Sequence, residues 1–442
     1  MAETLAGFPF WILTFDEHGQ PENPSDFDTF VNEVKSQNLT DLFIFSHGWN
    51  NDPATAMGLY NSFFSEVRSV LDDASLPRRR DATIGVAGII WPSILWPDNE
   101  LPESAGGAAS LDAPASEANL TDELKKVFLS QKEQQAVEDL TDMLDRKERN
   151  EEALLAFKAK LNELMQAPAA GQPAYDNLEQ QGIKVSDQQW FDALDALADQ
   201  ETPSDDMGGA AGFGDNFKRL WDGAKAALRV TTYWKMKNRA GVVGKTGLGP
   251  LIGRLHEAAA NLKVHLLGHS FGARLVSYAL AGLPDLPEGD ASPVKSLFLL
   301  QGAFSHFTFA DALPFDTGRK GELVGLASRV DGPLLTTHSL KDLAVGTAYP
   351  LASIVSGEDA ADATDALFRW GAMGHDGAQA VEAAQDNLSA PGTTYAFAAG
   401  KWLNLDGNMV IVNGGPPSGA HSDIVHPQTA WAALAAAGIS GA

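Results

Sequence analysis

The stretch Lys263-Val-His-Leu-Leu-Gly268-His269-Ser270-Phe271-Gly272-Ala273-Arg-Leu-Val-Ser-Tyr-Ala-Leu decides the reading of the whole chain. Its first half is a short apolar run suited to a strand, its second half is helical, and between them stands G-x-S-x-G. A nucleophile at the tip of a tight strand-to-helix turn needs neighbours without bulk two residues away on either side, hence Gly268 and Gly272. Such a turn exposes the Ser270 hydroxyl above a sheet edge. It also sets the Phe271 N–H at a helix N-terminus, where the dipole and free donors favour a developing oxyanion. On its own G-x-S-x-G is a common glycine turn, and the strand before it and the helix after it give it weight.

Around this stretch, short runs rich in β-branched and aromatic residues recur at 10–15, 41–46, 83–91, 264–268, 295–302, 333–337 and 409–413. Longer stretches with helical spacing separate them, the pattern of a parallel sheet with crossover helices. Most of the runs are apolar on both faces, as strands between two helical layers are. The interval from about 93 to 215 breaks the alternation. It opens among Pro92, Pro97 and Pro102, passes an Ala/Ser/Gly-rich patch at 104–118, and becomes a charged helical stretch over 121–166. Apolar Leu124, Val127, Phe128, Val137, Leu140, Leu144, Leu154, Phe157, Leu161 and Leu164 predict a helical hairpin or two packed helices there. Residues 101–208 hold 23 acids and 9 bases, a balance of −14 out of −26 for the chain. The expected organisation is a core of 1–95 and 215–442 with 96–214 inserted as a solvated acidic surface or a lid, Gly208, Gly209, Gly212 and Gly214 supplying a return hinge.

Composition narrows the chemistry. The 442 residues contain no cysteine, which excludes a disulfide framework, a thiolate nucleophile and Cys-ligated metal. A charge of −26 opposes a phosphate-binding surface, so neither nucleic acid nor a polybasic membrane anchor is expected. The N-terminal residues carry an acid where a secretory signal has Lys or Arg, and no run approaches a membrane span. A cytoplasmic location is the expectation, with signal-less export as the alternative. Gly244-Lys245-Thr246 lacks the glycine that a phosphate loop needs at position 239, where Arg239 stands. The ten histidines show no H-E-x-x-H or comparable spacing, so no metal and no cofactor is expected. Asn38, Asn119 and Asn387 begin glycosylation sequons, relevant only in a secretory context. Trp91 and Trp96 are read as packing residues.

With its strand, turn and helix in place, the Ser270 segment resembles the nucleophile elbow of the α/β-hydrolase family, over 8–95 and 215–440 but not over the acidic insertion. The resemblance implies a doubly wound, mainly parallel eight-stranded sheet with nucleophile, acid and histidine in that chain order. Run 41–46 ends in Ser46-His47-Gly48-Trp49-Asn50-Asn51-Asp52. The family places a His-Gly turn there, so Trp49 would complete the oxyanion hole with Phe271, and His47, Gly48 and His269 would support it. The plain alternative is an ordinary turn with Asn50 or Asp52 capping the next helix. The acid implied past run 333–337 is Asp342, with Asp331 as competitor at the opposite edge and His338 and Ser339 lining the loop. The base implied after run 409–413 is His421, with Asp423 steadying its loop; the competing His426 precedes Pro427, where a terminal helix would begin.

These readings predict a serine hydrolase acting on a small-molecule or lipid ester, chemistry that the same motif also serves for amides and thioesters. Two rivals remain at this level: an idle hydrolase fold binding a protein partner through its acidic insertion, and a lipid-degrading toxin. The His-Gly-Trp-Asn turn resembles that of hydrolase-like proteins with no settled substrate, and the sequence carries no signal of oligomeric state.

Overall fold

The computed structural model describes residues 3–49, 51–78, 80–93, 117–165, 186–201, 213–285, 290–344, 371–415 and 418–441. Among them nine strands form one sheet: β1 (Glu3–Leu5), β2 (Phe8–Thr14), β3 (Asp41–Ser46), β4 (Ile84–Ile90), β5 (Lys263–His269), β6 (Val294–Leu300), β7 (Leu334–His338), β8 (Ala383–Asn387) and β9 (Trp402–Asp406). Their order is β1-β2-β4-β3-β5-β6-β7-β9-β8, with β1 antiparallel to β2 and every other pair parallel. Parallel pairing brings the C-terminal ends of β3, β5, β6, β7 and β9 to one edge, where loops can converge.

Side chains alternate across the sheet into two cores. Leu42, Ile44, Leu266, Leu297 and Leu299 face one of them. Phe43, Phe45, Leu267, Phe298 and Leu300 face the other. Helices α1 (Pro24–Ser36), α8 (Gly249–Ala258) and α9 (Phe271–Gly282) close the first side, and α2 (Pro53–Asp72) and α10 (Pro427–Ala436) the second. Local chemistry explains where these helices start. Pro24, Pro53 and Pro427 each occupy a first-turn position, where the missing N–H costs nothing, and Asp52 caps α2 by accepting from the Thr55 N–H at 2.7 Å. Phe27, Phe30, Val31 and Val34 repeat at the spacing that turns one face of α1 inward.

The charged stretch after β4 forms three helices rather than two: α3 (Glu117–Val127), α4 (Gln131–Arg146) and α5 (Glu151–Met165). A reciprocal capping box of Ser130 and Glu133 restarts the chain at α4, and Lys147 ends it in a left-handed conformation at φ +44°. Two further helices, α6 (Asp187–Glu201) and α7 (Phe213–Val242), lead back to the sheet. Every apolar residue singled out between Leu124 and Leu164 is buried, in one cluster that also contains Trp11, Leu13 and Leu266 of the sheet. Trp96, Pro97, Pro102, the patch at 104–116, Gly208, Gly209 and Gly212 lie outside the described residues, while Gly214 falls inside α7. No described helix is long and apolar enough to cross a membrane.

Three strands differ from expectation. The sheet has nine strands rather than eight, because a turn at Ala6 and Gly7, both at positive φ, folds β1 back onto β2. The last strand is β9, not 409–413. In β9, Asn404 interrupts the apolar pattern but is satisfied in the interior by the Ala378 N–H at 2.9 Å and carbonyl at 3.1 Å. The Met409 run is a turn in which Ile411 is buried and Met409 is 90% exposed. Edge strand β8, Ala-Ala-Gln-Asp-Asn, carries no hydrophobic alternation to announce it.

Candidate active site

Ser270 stands between β5 and α9 at φ +57°, ψ −121°, a conformation that costs a non-glycine residue about 1–3 kcal/mol. Its surroundings hold it there. The Ser270 N–H donates to the Leu300 carbonyl at 3.1 Å, and its own carbonyl accepts from Ala273 at 3.1 Å and Ala303 at 3.2 Å. The flanking glycines are required by space. A Cβ on Gly272 would stand 2.1 Å from the Ser46 carbonyl oxygen, and one on Gly268 would stand 2.4 Å from the Gly272 carbonyl oxygen.

The loop after β7 brings Asp342 to this edge, and the loop after β9 brings His421. The two loops are stitched by a β-bridge between Asp342 and Gly419, with Ala420 donating to the Lys341 carbonyl at 2.9 Å. Asp342 is fully buried, while the His421 side chain keeps 12% of its surface. His421 Nδ1 donates to Asp342 Oδ2 at 2.8 Å, which leaves Nε2 as the acceptor for the Ser270 hydroxyl at 2.8 Å. The three side chains form one continuous hydrogen-bonded chain, the geometry that lets an imidazole take a proton from a hydroxyl.

The remaining singled-out residues fall into place around it. A methyl on Gly48 would lie 2.5 Å from Ser270 Cβ, so the turn after β3 abuts Ser270. Neither the Trp49 nor the Phe271 backbone N–H donates to an acceptor among the described residues. His47 Nδ1 donates to the Gly48 carbonyl at 2.8 Å, its ring stacks on Trp91 at 5.5 Å, and its carbonyl accepts from Trp91 Nε1 at 3.0 Å. Trp91 therefore does more than fill space, since it fixes the turn. His269 Nε2 donates to the His421 carbonyl at 2.9 Å and pins the backbone of that loop. Asp423 Oδ2 accepts the Val412 and Asn413 N–H groups at 2.8 Å each and steadies the same loop. His426 is the cap residue of α10, with Nε2 near the Asp423 carbonyl at 3.0 Å. Asp331 pairs with Lys295 at 2.6 Å, by the start of β7 and far along the strand from Ser270. Ser339 donates to the Ile411 carbonyl at 2.9 Å, and His338 ends β7. Asn50 lies outside the described residues.

Burial keeps the supporting histidines neutral. It pushes the His47 pKa down to about 4, and burial together with the neighbouring His421 ring pushes His269 down to about 3. A second chain of the same three residue types, Ser296–His265–Asp41, has both hydrogen bonds at 2.9 Å. It lies toward the opposite ends of the strands and all three residues are buried, so it ties β3, β5 and β6 together. Burial alone would raise the Asp41 carboxyl, but hydrogen bonds from His265, Arg80 and Thr40 hold it well below the usual carboxylate range.

Two residues of the site gave no sequence signal. Tyr233 of α7 meets the Trp49 ring at 5.6 Å and the Phe271 ring at 4.6 Å, bringing α7 against the turn at Ser270. Gln301, directly after β6, donates to Asp342 Oδ2 at 2.8 Å. Its signal would have been positional: β6 is the neighbour of β5, so its end reaches the same edge. Comparison with family models, curated proteins and solved structures finds no match for the chain.

Proposed function

We propose that the protein is a serine hydrolase of the α/β-hydrolase class that cleaves an acyl ester. The observation that carries the reading is the chain Ser270–His421–Asp342, with 2.8 Å at each link, assembled at one sheet edge from residues up to 151 positions apart. In this reading His421 Nε2 takes the Ser270 proton as Oγ attacks the acyl carbonyl, whose π electrons move onto oxygen. The backbone N–H groups of Trp49 and Phe271 would receive that oxyanion. Collapse expels the alcohol, which takes the proton from His421, and water repeats the sequence to release the acid. Asp342 accepts from Nδ1 throughout and stabilises the imidazolium.

The test is labelling by a fluorophosphonate probe, beside Ser270→Ala and His421→Ala variants checked for folding. Wild type should label and both variants should not, after which p-nitrophenyl esters of increasing chain length define the acyl group. A folded wild type that ignores the probe would overturn the reading in favour of an idle fold presenting its acidic insertion.

A further inference from the structure

We infer that Gln301 is a positioning residue that fixes which oxygen of Asp342 the imidazole meets and sets the basicity of His421; this rests on the triad reading above. Gln301 is fully buried and holds φ +47°, a conformation that asks for a reason in a residue with a side chain. Its amide has only one satisfactory orientation. Thr337 Oγ1 accepts from the Gln301 N–H at 3.1 Å, so its own proton is free for Gln301 Oε1 at 3.0 Å. The two Nε2 protons then go to Asp342 Oδ2 at 2.8 Å and to the Gly374 carbonyl at 3.0 Å, both pure acceptors. A flipped amide would set oxygen against oxygen at both contacts.

Asp342 Oδ2 thus carries two donors, the amide of Gln301 and the imidazole of His421, each at 2.8 Å. A neutral donor on a carboxylate oxygen favours its charged form and weakens its pull on the second donor. Gln301 therefore holds Oδ2 in line with Nδ1 while tempering the stabilisation of the imidazolium. Other titratable groups stand on the elements next to the pair or on its own loops. They are His269 on β5, His47 after β3, His375 and Asp376 on the turn Met373–Asp376, His338 on β7 and Asp406 on β9, with Lys341, Asp423 and His426 on the pair's own loops. All are common to wild type and variants, so a displaced His421 titration between them reports the amide.

The test uses Gln301→Met, which keeps length without hydrogen bonds, and Thr337→Val, which frees the amide without touching Asp342. The readouts are the acid limb of the kcat/KM pH profile and the titration of the His421 ring by NMR. For Gln301→Met we expect the limb and the titration to rise together by about half a pH unit, with kcat about tenfold lower and KM within about twofold. Thr337→Val should move both in the same direction by less. Should Gln301→Met fail to fold, Gln301→Glu serves: its added carboxyl beside Asp342 should raise the His421 titration further. A folded variant with an unmoved titration would reduce Gln301 to packing. Failure of wild-type turnover would sink the triad reading alone, because the NMR titration reads the coupling without substrate.

Discussion

Replacing Gly48 with alanine isolates how tightly the turn after β3 fixes Ser270, the proposed nucleophile. The added methyl would lie 2.5 Å from Ser270 Cβ and 3.1 Å from its Oγ. Carbon atoms in contact settle near about 3.5–4.0 Å, so turn and nucleophile must part by about 1 Å. Ser270 has little slack, since its N–H and carbonyl hold three backbone hydrogen bonds within 3.2 Å. A displacement of about 1 Å at a reacting centre costs on the order of 100-fold in rate. Overpacking of this size costs about 1–3 kcal/mol, against the roughly 5–15 kcal/mol that holds a domain together, so the variant should fold. The assay is the second-order rate of fluorophosphonate labelling, with thermal denaturation alongside. The expectation is labelling about 100-fold slower in a protein that still melts cooperatively. Labelling within about threefold of wild type would refute the argument that this turn sets the reacting geometry, because a 1 Å shift could not then have mattered.

Two further outcomes concern the supports of the fold. His47 and His269 have folded pKa values depressed by burial to about 4 and about 3 from 6.5, so their contribution is present above pH 6.5 and lost as pH falls toward those values. Stability in urea should drop between pH 6.5 and 4.5 by up to about 1.4 kcal/mol per pH unit for each histidine, and a flat midpoint across that window would mean that neither is held neutral. Asp41→Asn breaks the buried contacts to His265 and Arg80 and should cost about 3 kcal/mol in denaturant titration. A loss below about 1 kcal/mol would show the Ser296–His265–Asp41 chain to be expendable.

What the sequence disclosed and what it concealed divide along a physical line. Strands buried on both faces, such as β3, β5 and β6, are continuous apolar runs and could be read directly. Ser270 stood out by its G-x-S-x-G turn, while Asp342 and His421 were reached only through the chain order that the family resemblance implies; the structure places all three side chains together. Strands β8 and β9 could not be read directly, because edge position relieves β8 of any hydrophobic demand and Asn404 of β9 is satisfied by the backbone of Ala378. Reading 409–413 as the last strand still led to His421, since that run lies between β9 and the histidine in the chain. Gln301 and Tyr233 were silent for another reason: each acts through a neighbour that only the sheet order and the packing of α7 supply.

That packing bears on whether α7, the helix that leads from the insertion back to the sheet, can act as a moving cover. A cover must be cheap to lift, and α7 is not. Arg239 is buried and donates to the Pro92 carbonyl at 2.9 Å and the Val127 carbonyl at 2.7 Å, binding the end of α7 to the edge of β4 and to α3. The Lys237 carbonyl accepts from Arg274 Nε of α9 at 3.0 Å, and Tyr233 donates to the Ala303 carbonyl at 3.3 Å. Giving up a hydrogen bond from a charged donor costs a net of about 1.5–3 kcal/mol, and re-exposing an aromatic side chain the size of Tyr233 adds about 2 kcal/mol. With Arg239, Arg274 and Tyr233 all affected, the sum reaches at least about 4 kcal/mol, an opening populated less than about once in a thousand. A substrate route that depended on lifting α7 would pay that factor at every turnover. The second half of α7 is therefore better understood as a fixed support that sets Tyr233 against Trp49 and Phe271 than as a part that moves.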